Sequence, residues 1–94
     1  MKLLRVLYVA YDIKSNDLRS RLARKLLYYG LSRVQLSVFT GTVETREKAE
    51  ILDEVENMEL GEDDKVYVID LCSRCAKNVI VIGKESDERE HLII

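Results

Sequence analysis

The chain has no proline and no tryptophan, one histidine, one phenylalanine and two cysteines. Without proline no turn carries a rigid device. The single histidine, His91, lies in the C-terminal tail, and no Gly-x-Ser-x-Gly, phosphate-binding glycine loop or His-Glu-x-x-His is present. That argues against Ser-His-Asp chemistry and against a zinc protease site. Cys72 and Cys75 make one Cys-x-x-Cys, which supplies two ligands where a structural zinc site needs four. Two readings stand: small residues packed in a turn between two strands, or a metal site pooled from two copies of the chain. No apolar run approaches the ~20 residues of a membrane helix. The N-terminus lacks an apolar segment followed by a small-residue cleavage site. A cytoplasmic protein without a membrane partner is expected.

What is present is a single domain spanning residues 1–94, with 47% hydrophobic and 34% charged residues, the composition of a folded globular chain. The net charge of −2 conceals a split. Residues 1–43 carry eight basic side chains against Asp12 and Asp17, whereas residues 44–94 carry seven basic and fifteen acidic ones. Either one side of the molecule offers a basic surface to a polyanion, or the charges are solvated faces that compensate one another.

Leu4 to Ile13 reads as a strand that is apolar on both faces, Val6, Tyr8 and Ala10 on one and Leu7, Val9 and Tyr11 on the other. Such a strand belongs in the middle of its sheet. It ends by delivering Asp12 to a turn before a basic helix. There Ser15 and Asn16 offer caps, Leu18, Leu22, Leu26 and Tyr29 form a stripe, and Gly30 stops the helix. Ser32 to Val43 alternates and fits either one long strand or two short ones bent near Leu36–Ser37. A second helix is expected from about Thr45 to Leu60, with Ala49, Leu52 or Ile51, Val55 and Met58 inward and Glu47, Glu50, Asp53, Glu54 and Glu56 outward. Strands follow at Lys65–Leu71 and Asn78–Ile82. Residues 84–90 read as a charged linker, and His91–Ile94 as a short strand on a sheet edge of this chain or of a partner. The class is α+β; with the bend, the order is βαββαβ, the ferredoxin-like sandwich.

Asp12 is the one candidate for chemistry. One carboxylate holds a hard divalent cation weakly, because Mg²⁺ takes several oxygen ligands. Two Asp12 side chains across a two-fold axis make a plausible site for phosphodiester hydrolysis, and a turn acceptor capping the first helix is the alternative. Asp70, near Lys65 and Arg74, reads as an ordinary surface carboxylate. Tyr8, Tyr11 and Phe39 read as core, and Tyr28 and Tyr29 as packing at the helix end.

Tyr11-Asp12-Ile13, Leu18-Arg19-x-Arg21 and Tyr29-Gly30-Leu31-x-Arg33-Val34-Gln35-x-Ser37-Val38-Phe39-x-Gly41, with Leu71-Cys72-x-x-Cys75 and Val81-Ile82-Gly83 later, resemble the Cas-two family of CRISPR-associated proteins. The resemblance implies a ferredoxin-like homodimer, with both Asp12 carboxylates facing each other and binding Mg²⁺ or Mn²⁺, and with His91–Ile94 added to the partner's sheet. It also implies one of two roles. One is a metal-dependent endonuclease on single-stranded RNA or duplex DNA. The other is a non-catalytic adaptor in spacer acquisition, bridging integrase subunits and holding spacer DNA. By position Asp12 is the metal ligand; Tyr11, Ser37 and Phe39 match family positions tied to activity or to cleft shape, and Arg19, Arg21 and Arg33 match positions suited to phosphate. The acidic second helix departs from that pattern and should repel nucleic acid.

Overall fold

Leu4–Asp12 forms β1, and it lies between two antiparallel neighbours, as its two apolar faces require. The computed structural model describes residues 3–83. Elements follow in the order β1, α1 (Asn16–Tyr28), β2 (Ser32–Gln35), β3 (Val38–Glu44), α2 (Thr45–Glu56), β4 (Lys65–Leu71) and α3 (Ser73–Ala76). The sheet is four-stranded, all its pairs are antiparallel, and its order is β2-β3-β1-β4. Leu7 of β1 stands opposite Gly41 on one side and Asp70 on the other; Tyr8 stands opposite Thr40 and Ile69.

Leu7, Val9 and Tyr11 face the core with Phe39 and Val43, and Leu22, Ala23, Leu26 and Ile51 close over them from the helices. The other face carries Tyr8, Tyr67 and Ile69. Tyr67 and Ile69 are exposed there, and the enclosed Tyr8 hydroxyl has no hydrogen-bond partner among the described residues.

The ends of α1 follow from its sequence. The Ser15 hydroxyl accepts the Leu18 N–H at 3.2 Å. Gly30 takes φ +89°, the left-handed region where only glycine sits without strain. Its N–H donates to the Leu27 carbonyl and that of Leu31 to the Leu26 carbonyl, both at 3.0 Å, the paired closure of a left-handed helix stop. Ser32 to Val43 is two strands, with the turn at Leu36–Ser37.

Three expectations are corrected. α2 ends at Glu56 rather than near Leu60, because Asn57 donates from both its backbone and its side-chain amide to the Asp53 carbonyl. Its inner stripe is Ile51, Val55 and Met58, while Ala49 is exposed. Asn78–Ile82 is not a strand: α3 follows β4, and Ile80 and Ile82 stand exposed beyond it. An apolar run becomes a strand only with a ladder partner, and β1 already has one on each side. The proposed strand at His91–Ile94 lies outside the described residues.

The return of the chain after α1 presses on the sheet at Gly41. A Cβ there would lie 2.9 Å from the Leu31 Cα and 3.2 Å from the Gly30 carbonyl oxygen. Gly41→Ala is therefore expected to cost about 1–2 kcal/mol, since the obstacle is backbone and cannot rotate away. Urea unfolding measures it, and an unchanged midpoint would contradict the close approach.

Candidate nucleic-acid interface

A cleft of about 550 Å³ opens between the first turns of α1, the end of β1 and the β2–β3 turn. Tyr11, Arg19, Arg33 and Ser37 line it together with Asn16, Ser20 and Leu36. Its floor is aromatic. The Tyr11 ring stacks near Phe39, with centroids 6.3 Å apart, and the Arg33 guanidinium lies 5.1 Å from the Phe39 centroid. A cation over a ring face is held without using its N–H donors, so the forked edge of Arg33 stays available to an anion. Phe39 itself is fully buried and shapes the cleft from below.

The turn is tied to β1. The Tyr11 N–H donates to the Ser37 carbonyl at 3.0 Å, and its hydroxyl reaches the Leu36 carbonyl at 3.5 Å. Across the cleft, Arg19 donates to the carbonyls of Ile13 at 2.7 Å and Lys14 at 3.1 Å. This arginine holds the β1–α1 connection as well as adding positive charge. Asn16 and Ser20 were not singled out by the sequence reading. Their signal was spacing, since Asn16, Arg19 and Ser20 fall on one side of a helix at i, i+3 and i+4.

The remaining candidates lie elsewhere. Arg21 pairs with Asp17 at 3.4 Å and lines a separate groove between α1 and α2 with Lys25, Glu54 and Glu59. In that seam Lys25 meets Glu54 at 3.0 Å. Burial, then a hydrogen bond to Glu50, pushes the Tyr29 phenol up. Part of the acidic face of α2 thus answers the basic helix of the same chain. Tyr28 stands exposed, meeting Tyr29 edge-on at 5.1 Å, rather than packing inward.

Asp12 does not line the cleft. Strand side chains alternate, so with Tyr11 on the core side Asp12 points to the opposite face, where it stands opposite Lys65. It is exposed and pairs with Lys14 at 3.2 Å; the cap of α1 is supplied by Ser15. The Lys14 N–H in turn donates to Asp64 at 2.9 Å, and Gly61 donates to the other Asp64 oxygen. These backbone donors hold the Asp64 carboxyl below its ordinary range. No group of three His, Cys, Asp or Glu side chains able to hold a metal ion occurs among the described residues. One chain offers a divalent cation the single carboxylate of Asp12, too few oxygens for a site.

Asp70 is not an ordinary surface carboxylate. It is largely enclosed between Arg5, at 2.7 Å, and Lys48 of α2.

No helix among the described residues is long and apolar enough to cross a membrane. The family model described as CRISPR associated protein Cas2 matches residues 5–79. The chain is 35% identical over 80 residues to CRISPR-associated endoribonuclease Cas2 1 of Archaeoglobus fulgidus, covering 85% of each chain. It is 30% identical over 88 residues to CRISPR-associated endoribonuclease Cas2 2 of Methanospirillum hungatei, covering 94% of this chain and 97% of that one. A hypothetical protein of Thermus thermophilus has a similar solved structure, with a TM-score of 0.70 at 30% identity over 92% of this chain and 96% of that one. A crystal structure of Cas2 aligns at a TM-score of 0.69 and 24% identity, over 89% and 92% of the two chains, a likeness of fold. This chain belongs to the Cas2 family of CRISPR-associated proteins.

Proposed function

We propose that the protein is a cytoplasmic, ferredoxin-like homodimer of CRISPR spacer acquisition that hydrolyses phosphodiester bonds in RNA or DNA with a divalent cation, Mg²⁺ or Mn²⁺. The observation that carries this reading is the position of Asp12. It is an exposed carboxylate at the end of the central strand, on the face away from the helices and one residue from the wall of an arginine-lined cleft. That face also supports a second copy. Tyr67 and Ile69 are uncovered on it, and an enclosed hydroxyl without a partner, like that of Tyr8, costs about 1–3 kcal/mol. The sheet order β2-β3-β1-β4 is the arrangement a ferredoxin-like sandwich requires.

Two Asp12 side chains and water would hold the cation. When bound, it supplies Lewis-acid stabilisation of charge on the phosphoryl oxygens. The chain's own part is to bind and orient. Arg33 and Arg19 take backbone phosphates, which gives a grip that tolerates any sequence and weakens with salt. Tyr11 and Ser37 fix the turn that carries Leu36, and Phe39 sets the height of Arg33.

The pairing of Asp12 with Lys14 favours a second reading. A carboxylate already answered by an ammonium is structural in an adaptor that bridges integrase subunits and holds spacer DNA without cleaving it. Cleavage of single-stranded RNA and duplex DNA by wild type and Asp12→Asn, with Mg²⁺ and with Mn²⁺, separates the two. The nuclease reading expects metal-dependent cleavage by wild type and a fall to the buffer level in the variant, with dimerisation unchanged by sedimentation. No cleavage by wild type, or equal cleavage by the variant, leaves the adaptor.

A further inference from the structure

The cysteine pair is not a pair of packed residues in a turn between strands. Cys72 ends the extended chain of β4 and opens α3, its carbonyl accepting the Ala76 N–H at 2.9 Å. Cys75 follows on that single turn. Both are free thiols; Cys72 is half-buried and Cys75 is exposed. Structural cysteines are buried and inert, whereas reactive ones are accessible and sit where the thiolate is stabilised. No third metal ligand stands beside them among the described residues, so a tetrahedral cation is not satisfied within the chain.

We propose that Cys72 and Cys75 form a reactive dithiol that reduces low-molecular-weight disulfides and closes as an intramolecular Cys72–Cys75 disulfide. The two side chains are in contact, the Cys75 thiol donating to the Cys72 sulfur. That sulfur also accepts the backbone N–H groups of Cys75 and Arg74, and the Arg5 guanidinium acts on it through space. The Cys75 N–H first, then the Cys75 thiol, hold the Cys72 thiol below its ordinary value, whereas donating to Cys72 raises Cys75. The asymmetry assigns the roles. Cys72 attacks as thiolate and Cys75 stays protonated until it resolves.

The step balances. The Cys72 thiolate attacks one sulfur of the small disulfide, forming a mixed disulfide and releasing one thiolate. Cys75 then loses its proton and attacks the Cys72 sulfur, releasing the second. Two protein thiols are oxidised to one disulfide, and one external disulfide is reduced to two thiols. Closure spans only the turn of α3, which packs on β1 and β4, so it leaves the sheet in place.

Reduced full-length protein incubated with oxidised glutathione, quenched in acid and analysed by intact mass after alkylation, tests this. Wild type is expected to lose two hydrogen atoms and all alkylation of Cys72 and Cys75 while remaining a disulfide-free assembly between chains. Cys75→Ser is expected to stall as a stable glutathione adduct on Cys72. Wild type that stays fully alkylatable, that accumulates a lasting adduct without closing, or that forms only interchain disulfides overturns the proposal. So does a Cys75→Ser protein that takes no adduct. Circular dichroism of each variant keeps the result readable as chemistry rather than unfolding.

Discussion

Phe39→Ala is expected to lower the unfolding free energy by about 3–5 kcal/mol, the largest loss from any single side chain of the site. The ring is completely buried at the point where β3 crosses β1, opposite Val9, with Tyr11 beside it and Arg33 over its outer face. Truncation removes its transfer free energy and leaves a void between sheet and helices that backbone ladders on both sides of β3 keep from collapsing. It also drops the support beneath Arg33. Phe39→Leu separates the two effects: it refills most of the volume, at about 1–2 kcal/mol, yet offers no ring face. Urea unfolding and binding of a labelled DNA duplex at low salt should both be measured. Alanine is expected to lose stability and binding together, and leucine to lose binding out of proportion to stability. If Phe39→Leu binds as tightly as wild type, the ring does not position Arg33.

Tyr11 and Phe39 show why core and site were hard to separate in the sequence. Both are core residues, and both form the cleft from beneath, so the periodicity that marks them as buried hides what they support. The ends of α1 were legible because Ser15 and Gly30 act locally: a hydroxyl two or three residues from the N–H it accepts, and a glycine that alone takes φ +89°. The break in Ser32–Val43 was not, because alternation persists through a two-residue turn that keeps the faces in phase. Nor was the failure of Asn78–Ile82 to form a strand, since the exposed ladder of a possible neighbour is a property of the sheet and not of the run. The separation of Asp12 from Arg19 and Arg33 was written in the alternation of β1, where Tyr11 and Asp12 are successive residues on opposite faces. The arginines became a cleft only when the hairpin was seen to fold against the first turn of α1, a contact with no local trace. Arg21, three residues short of Arg24 and two past Arg19, shows the cost of reading a charge run as one surface: the helix turns it toward the acidic seam.

The same blindness to register concealed Asp70, and the second large effect is expected there. Arg5 and Asp70 come together because β1 and β4 are adjacent, and Lys48 reaches the same carboxylate from α2, so three elements meet at one negative charge. Burial pushes the carboxyl up, but the hydrogen bonds from Lys48 and then Arg5 prevail and hold it below the ordinary range. A carboxyl lowered on folding stabilises the protein above its unfolded pKa of about 3.9, and the contribution is lost as pH falls through the folded value. Asp70→Asn keeps the shape and removes the charge, leaving two cations facing a neutral amide. Its expected cost at pH 7 is about 1.5–3 kcal/mol, the range for hydrogen bonds to a charged group, and more than an exposed ion pair supplies, because the Asp70 side chain is only 21% exposed. Wild type and variant should be unfolded in urea from neutral pH to the acid limit. The gap between them is expected to be constant above about pH 5 and to close as the wild-type carboxyl takes up its proton. A gap that persists unchanged into strong acid, or that is absent at pH 7, would show that the carboxylate between Arg5 and Lys48 does not hold β1, β4 and α2 together.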